Sequence, residues 1–267
     1  MAETTPLPAA TVTLVRDAVG GFEVLMMKRN LKSAFVPGAY IFPGGALDAL
    51  DSTPEMQALC SSVSDEQASS TLGIAVGGLA YWAAAIRESF EEAGLLLAYD
   101  GSRRMVALDE AVVAERFRRH RDALNQGERN LTDIMRDERL TLAADQLVYF
   151  SHWITPARSS RRYDTRFFAA LAPPAQVPLH DNQETIDHVW ISPGDALKRN
   201  HQGDFSMRLP TVRTLEELAA YETADSVMRA MRAKRSIPKI LPLTNSAGVR
   251  VMPGEPGYEE LSMKAAR

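Results

Sequence analysis

The chain has 267 residues, 45% apolar and 24% charged, a balance that excludes a disordered protein and a membrane-embedded one. Its net charge of -4 leaves no overall basic footprint for nucleic acid. Cys60 stands alone, which excludes an internal disulfide and fits a reducing compartment. The N-terminal MAETTPLPAATVTLV lacks a basic segment ahead of an apolar run. The apolar stretch LGIAVGGLAYWAAAI is too short and too glycine-rich to span a bilayer, and the terminal KAAR is not a peroxisomal address. The expectation is a soluble, cytoplasmic protein with neither a membrane nor a nucleic-acid partner; a homodimer stays open.

In chain order, TVTLVRDAVGGFEVLMMK (11–28) predicts two strands around a Gly-Gly turn. FVPGAYIFPGGALDALDS follows, dense in Pro and Gly, with AYIF as a short strand. Residues 52–70 are polar and weakly periodic, the pattern of an inserted helix and loop. A helix is expected from near Leu79 to Glu92, stopped by Gly94 as its C-terminal cap. Residues 108–139 carry Arg, Glu and Ala at helical spacing. Strands return in QLVYFSHWIT, TRFFAALA and DHVWIS, then 210–235 reads as helix, and the tail after Ile237 holds Pro and Gly at short intervals with one strand. This mixed order predicts an α/β or α+β fold rather than a doubly wound parallel sheet.

The stretch AIRESFEEAGLLL (85–97) carries the chemistry. On a helix, Glu88, Glu91 and Glu92 stand at i, i+3 and i+4, so three carboxylates share one face and repel. Such a set suits a hard divalent cation, because Mg²⁺ takes oxygen ligands and shares its shell with water and phosphate. An acidic surface helix gives the same letters, so the motif needs its context.

The context is FPGG (Phe42–Gly45), with Asp51 at the spacing of an acid after Gly45. Together with RESFEEAGL this resembles the Nudix box, G-x5-E-x7-R-E-U-x-E-E-x-G-U, in which U is a bulky aliphatic. Gly45 opens it, Asp51 takes the first acidic place, and Arg87, Glu88, Glu91, Glu92, Gly94 and Leu95 complete it. The segment between Asp51 and Arg87 is about 28 residues longer than the pattern allows. With WITPARSSRRYDTRFFAA, DNQETIDHVWISPGDAL and LPTVRTLEEL, the chain resembles the split-box branch of the Nudix superfamily, typified by the mammalian peroxisomal coenzyme A diphosphatase, over residues 12 to 220.

The resemblance implies an α/β/α sandwich with a mixed sheet, formed as one domain over 1–267 with insertions at about 52–78, inside the box, and about 104–142. It implies that Glu91 and Glu92 bind Mg²⁺ or Mn²⁺, that Glu88 binds metal or helps deprotonate water, and that Arg87 orients the glutamates. The Gly45 carbonyl is implied as a further metal ligand, and Glu184, ahead of Trp190, as an added ligand or base. Asp51 reads equally as a turn or N-cap residue, and Glu184 as an acid at a strand end. Arg158, Arg161 and Arg162, with Asp164 nearby, read either as a solvated turn or as a phosphate-binding loop, since arginine forks match phosphate oxygens. Arg29 and Lys32 are the other candidate substrate contacts. The run RFRRHR (116–121) reads as an exposed helix face, Trp153 and Trp190 as core, and His152 and His188 as structural.

The reaction implied is hydrolysis of the pyrophosphate of a nucleoside diphosphate linked to another group. The split box points to coenzyme A or acyl-coenzyme A. Against that, the bacterial-type coenzyme A signature expects an arginine where Ala34 stands, and Lys32 offers a point charge in place of a fork. ADP-ribose, NADH or another nucleotide is the alternative substrate. A non-catalytic nucleotide sensor would carry an eroded acidic helix; here all three glutamates are present.

Overall fold

A computed structural model describes residues 5–33, 36–157 and 159–265 of the chain. The expected hairpin forms as β1 (Leu7–Ala18) and β2 (Gly21–Arg29), closed where Ala18 pairs with Gly21. β3 (Tyr40–Ile41) and β4 (Gly44–Ala46) follow, then a 3-10 turn over Ala49–Ser52. The segment expected as an insertion folds as α1 (Pro54–Leu59) and α2 (Asp65–Leu72), and α3 runs Leu79–Ala93. β5 (Ala98–Tyr99), α4 (Ala111–Asn125), α5 (Leu131–Glu138) and β6 (Thr141–Leu142) lie between α3 and the returning strands. Those strands are β7 (Val148–Ile154), β8 (Tyr163–Leu171) and β9 (Thr185–Ile191). α6 (Pro193–Gln202), α7 (Leu209–Leu218), α8 (Ala224–Ala233), β10 (Lys239–Ile240), β11 (Leu243–Thr244), β12 (Arg250–Val251) and α9 (Tyr258–Ala265) complete the chain.

The sheet is mixed, as expected, in the order β10-β7-β8-β1-β2-β3. β1 runs parallel to β8 along Leu7–Val15 and antiparallel to β2. β1 is long enough to serve two partners on one edge: Val15–Ala18 pairs with β2, while Ala9–Thr11 pairs with β4. That fork leaves Gly44 and Gly45 of β4 beside the sheet, facing the helix that crosses it.

The continuous apolar run VLMM in β2 follows from burial on both faces. Leu25 and Met27 pack with Val12, Leu14 and Phe168 under α3, while Val24 and Met26 join Val15, Phe167 and the helices α7 and α8. Helices therefore cover both sides, which is the α/β/α sandwich. Among the described residues no helix is long and apolar enough to cross a membrane.

Three local expectations change. The tail after Ile237, expected with one strand, holds the short strands β10, β11 and β12 and the helix α9. The helix expected over 210–235 is broken into α7 and α8, because Thr223 and Ser226 form a new capping box. α6 was not anticipated; its signals are the Ser192 cap that accepts from the Asp195 amide, Pro193 in the first turn and Gly203 left-handed at the end.

Candidate active site

α3 begins as a nearly all-buried helix, LAYWAAAI, whose small residues let it lie close on the sheet, and turns polar only at Arg87. Gly94 ends it at φ 68°, a left-handed cap that any side chain would strain. Arg87 is where the two halves of the split box meet. Its Nε and Nη2 donate to Asp51 Oδ1 and Oδ2, both at 2.9 Å, as a bidentate fork. Nη1 donates at 2.8 Å to both Glu88 and Glu91, and Nη2 also reaches the Ala46 carbonyl at 3.0 Å. Asp51 has both of the roles that its sequence left open. It closes the capping box of the 3-10 turn by accepting from the Asp48 amide at 2.7 Å, and its buried carboxylate anchors Arg87. The long segment after Asp51 loops out as α1 and α2 and returns in register.

Glu88 and Glu92 point at the glycines of β4. The Gly44 amide donates to Glu92 Oε2 at 3.1 Å, and a Cβ on Gly45 would stand 2.4 Å from Glu88 Oε1. Burial raises the Glu88 carboxyl to about 7, opposed by Arg87 and reinforced by Glu91 and Glu184. Burial raises Glu91 as well, against Arg87, with Asp51 and Glu184 adding to the rise. Glu92 is pushed well up by complete burial, then by Glu88 and Glu184, while the Gly44 amide and Arg29 pull the other way. The local acids outnumber Arg87 and Arg29, an excess of negative charge that a divalent cation would offset. The donor set is all oxygen, which fits Mg²⁺ or Mn²⁺. Among the described residues no three acids or histidines close a metal cage by themselves, and Glu88 and Glu91 each lend an oxygen to Arg87. The residues fit an ion that keeps its waters and completes its shell with substrate phosphate.

Glu184 immediately precedes β9, and its charge acts on all three helix glutamates. Its carboxylate is mostly exposed and lies 3.8 Å from Arg29 Nη2. Arg29, at the end of β2, rests its fork on the Ser33 hydroxyl at 3.3 and 3.1 Å, beside the carboxylates. Lys32 is exposed in the turn that follows, and Arg161 is exposed ahead of β8. Arg162 requires a correction. Its side chain is buried and donates from Nε to the Thr155 carbonyl at 3.1 Å, so it braces the β7–β8 connection instead of facing solvent. Arg158 and Ala34 lie outside the described residues. Asp164 does not belong to an arginine loop either; it bonds His152 at 2.7 Å and pairs with the buried Arg166. A cleft of about 900 Å³ opens elsewhere, lined by Gln67, Trp82, Tyr149, His152, Arg235 and Lys239, without the acidic residues of α3.

The run RFRRHR also departs from its reading as an exposed face. Arg121 is 4% exposed and Phe117 3%, because α4 packs on the end of α3. Arg121 donates from Nε to the Glu91 carbonyl at 2.9 Å and from Nη2 to the Glu92 carbonyl at 2.8 Å. Asn125 and Thr185 add bonds to the same carbonyls. The one sequence signal was Phe117 and Arg121 at i and i+4, an inward stripe obscured by the surrounding arginines.

Replacing Gly45 by Ala is expected to push the Glu88 carboxylate aside, since that side-chain end is the first atom a methyl meets. Hydrolysis should fall about a hundredfold, the scale of an ångström-sized misplacement, while the melting temperature shifts little. Steady-state kinetics beside a thermal melt checks this.

Fold and site together define a Nudix hydrolase. The family model of the NUDT19 Nudix domain matches residues 58–218, and the chain belongs to that family, as a Nudix pyrophosphohydrolase. Acyl-coenzyme A diphosphatase NUDT19 of Gallus gallus is 27% identical over 304 residues, covering 94% of this chain and 79% of that protein. The Homo sapiens protein of the same name is 26% identical over 279 residues, covering 90% and 73%. Among solved structures, a NUDIX hydrolase from Alicyclobacillus acidocaldarius shares 27% identity with a TM-score of 0.68, covering 85% of this chain and 97% of its own.

Proposed function

We propose that this hydrolase cleaves the pyrophosphate of coenzyme A or acyl-coenzyme A to 3′,5′-ADP and a 4′-phosphopantetheine, with Mg²⁺ or Mn²⁺. The observation that carries the reading is the reassembled split box. Arg87 draws Asp51, Glu88 and Glu91 together across α1 and α2, and the name of the Gallus gallus relative, an acyl-coenzyme A diphosphatase, supports the choice of substrate. Glu91 and Glu92 are the proposed cation ligands, joined by Glu184 and the Gly45 carbonyl. Glu88, raised to about 7 by burial, is matched to taking a proton from the attacking water near neutral pH. Arg29 is the proposed phosphate contact; its fork rests on the Ser33 hydroxyl and lies 3.8 Å from Glu184, beside the carboxylates, which supports this reading. A bound cation supplies an activated water and offsets charge developing on the phosphate oxygens.

The test is a screen of coenzyme A, acyl-coenzyme A, ADP-ribose, NADH, diadenosine polyphosphates and nucleoside triphosphates with Mg²⁺ or Mn²⁺, run beside Glu91→Gln. Release of 3′,5′-ADP from coenzyme A, lost in the variant, is the expected result. Preferred turnover of another compound would discard the substrate while keeping the site.

The acids also set a pH dependence. Burial raises Glu88 from 4.5 to about 7, and raises Glu91 and Glu92 in the same direction. The folded chain therefore binds more protons than the unfolded one over that window, and these groups cost stability as pH climbs through it. Metal-free melts should show the loss between about pH 4.5 and 7, and Mn²⁺ should raise the melting temperature more at about pH 7.5 than at about pH 5.

A further inference from the structure

We propose that Arg121 is a positioning residue for the metal-binding glutamates, and that the helical segment 104–142 serves the active site as a clasp on the end of α3. This rests on the reading of Glu91 and Glu92 as cation ligands. The last carbonyls of a helix have no partner within it, and the helix dipole makes that end negative. In α3 those carbonyls belong to the residues whose side chains carry the charge. Their repulsion acts to fray the turn that must hold them in place.

Arg121 meets both demands at once. It puts one fork across the Glu91 and Glu92 carbonyls, at 2.9 and 2.8 Å, and a cation at the negative end of the helix. Asn125, one turn on, adds a bond to the Glu91 carbonyl at 3.2 Å. The guanidinium is buried, and the acids whose charge it feels are Asp181, Asp122, Glu92 and Glu91. The helix end makes room for it, because a Cβ at Gly94 would stand 3.3 Å from Arg121 Nη1.

The clasp is itself anchored. Arg116 pairs with Glu138 of α5 at 2.8 and 3.0 Å, His120 meets the same carboxylate at 2.9 Å, and Phe117 packs edge-on against Phe90 of α3. On the far side the Thr185 hydroxyl lies between the Glu92 carbonyl, at 3.3 Å, and the Asp181 carboxylate, at 3.0 Å, sharing its one proton between the two acceptors. Asp181 in turn accepts the amides of Gln183, Glu184 and Thr185. The turn that presents Glu184 is therefore tied to the same carbonyl that Arg121 holds. One junction fixes Glu91, Glu92 and Glu184 relative to each other.

The experiment is calorimetric titration of Mn²⁺ into wild type, Arg121→Met, Arg121→Lys and Glu91→Gln without substrate, with melting curves and amide exchange at Gly94 and Leu95. Arg121→Met should weaken Mn²⁺ binding about tenfold to a hundredfold, the range seen when groups supporting metal ligands are removed. Exchange at the helix end should quicken. Arg121→Lys should recover part of the affinity, since an ammonium keeps the charge and reaches one carbonyl. kcat at limiting metal should fall in parallel and recover at saturating metal, with KM for the nucleotide little changed. If Arg121→Met does not fold, the lysine variant carries the same test with a smaller shift. Wild-type Mn²⁺ affinity in the Arg121 variants, beside lost affinity in Glu91→Gln, overturns the clasp alone. Retained affinity in Glu91→Gln overturns the metal reading and the clasp with it.

Discussion

Glu92→Gln is expected to lower kcat about a thousandfold while leaving the folded protein as stable as before, or more so. The two effects have one origin. Glu92 is fully buried, and Glu88 and Glu184 push its carboxyl in the same direction as burial does, so the metal-free fold holds this charge at a cost. A glutamine keeps the shape and can accept from the Gly44 amide through its carbonyl, as Glu92 Oε2 does at 3.1 Å. Removing the charge should add about 1 kcal/mol of stability near neutral pH, the usual scale when a strained functional site is relieved. The same neutral group is a poor partner for a divalent cation, which contributes several kcal/mol of charge stabilisation, about a thousandfold in rate. Melting curves without metal, paired with turnover at saturating metal, separate the two. A variant that loses both activity and stability would show that Glu92 supports the fold, not the cation.

What was legible in the sequence divides along the range of the interactions. The acidic face of α3 could be read because i, i+3 and i+4 is local geometry, and Gly94 could be read as its stop because a left-handed cap is a local demand. The strands followed from short apolar runs between turn residues, whereas the mixed sheet was implied by the resemblance to the Nudix superfamily. The partner of Arg87 was a different matter. Asp51 and Arg87 are separated by α1 and α2, and no periodicity fixes that distance; only similarity to a known box joined them, and only the fork geometry shows that they bond. Arg121 and Arg162 were misjudged for the same reason. Arginine in a basic run is usually solvated, and burial is decided by what packs on top, here α3 for Arg121 and the Thr155 connection for Arg162. α6 was missed because LKRNHQ is polar and its apolar stripe is short, although its caps were in plain view.

Arg87→Met is expected to destabilise the fold by about 3–5 kcal/mol, the cost of leaving a buried charge without its partner. Arg87 is 12% exposed and Asp51 0%, so water cannot replace the lost fork. Asp51 would keep only the Asp48 amide, the Ala46 carbonyl would lose its donor, and Glu88 and Glu91 would face each other unscreened. At about 2–4 °C per kcal/mol for a chain of this size, the melting temperature should drop by roughly 10 °C. Lysine at this position should recover little, because an ammonium cannot span Asp51 and the glutamates at once. The deciding comparison is a double-mutant cycle with Asp51→Asn. If the fork holds the split box together, either single change should cost most of the effect, and the double variant should be little worse than the worse of the two. Simple additivity would mean that the two halves are joined by the β4 glycines and the packing of α1 against α3, with Arg87 serving only to orient Glu88 and Glu91.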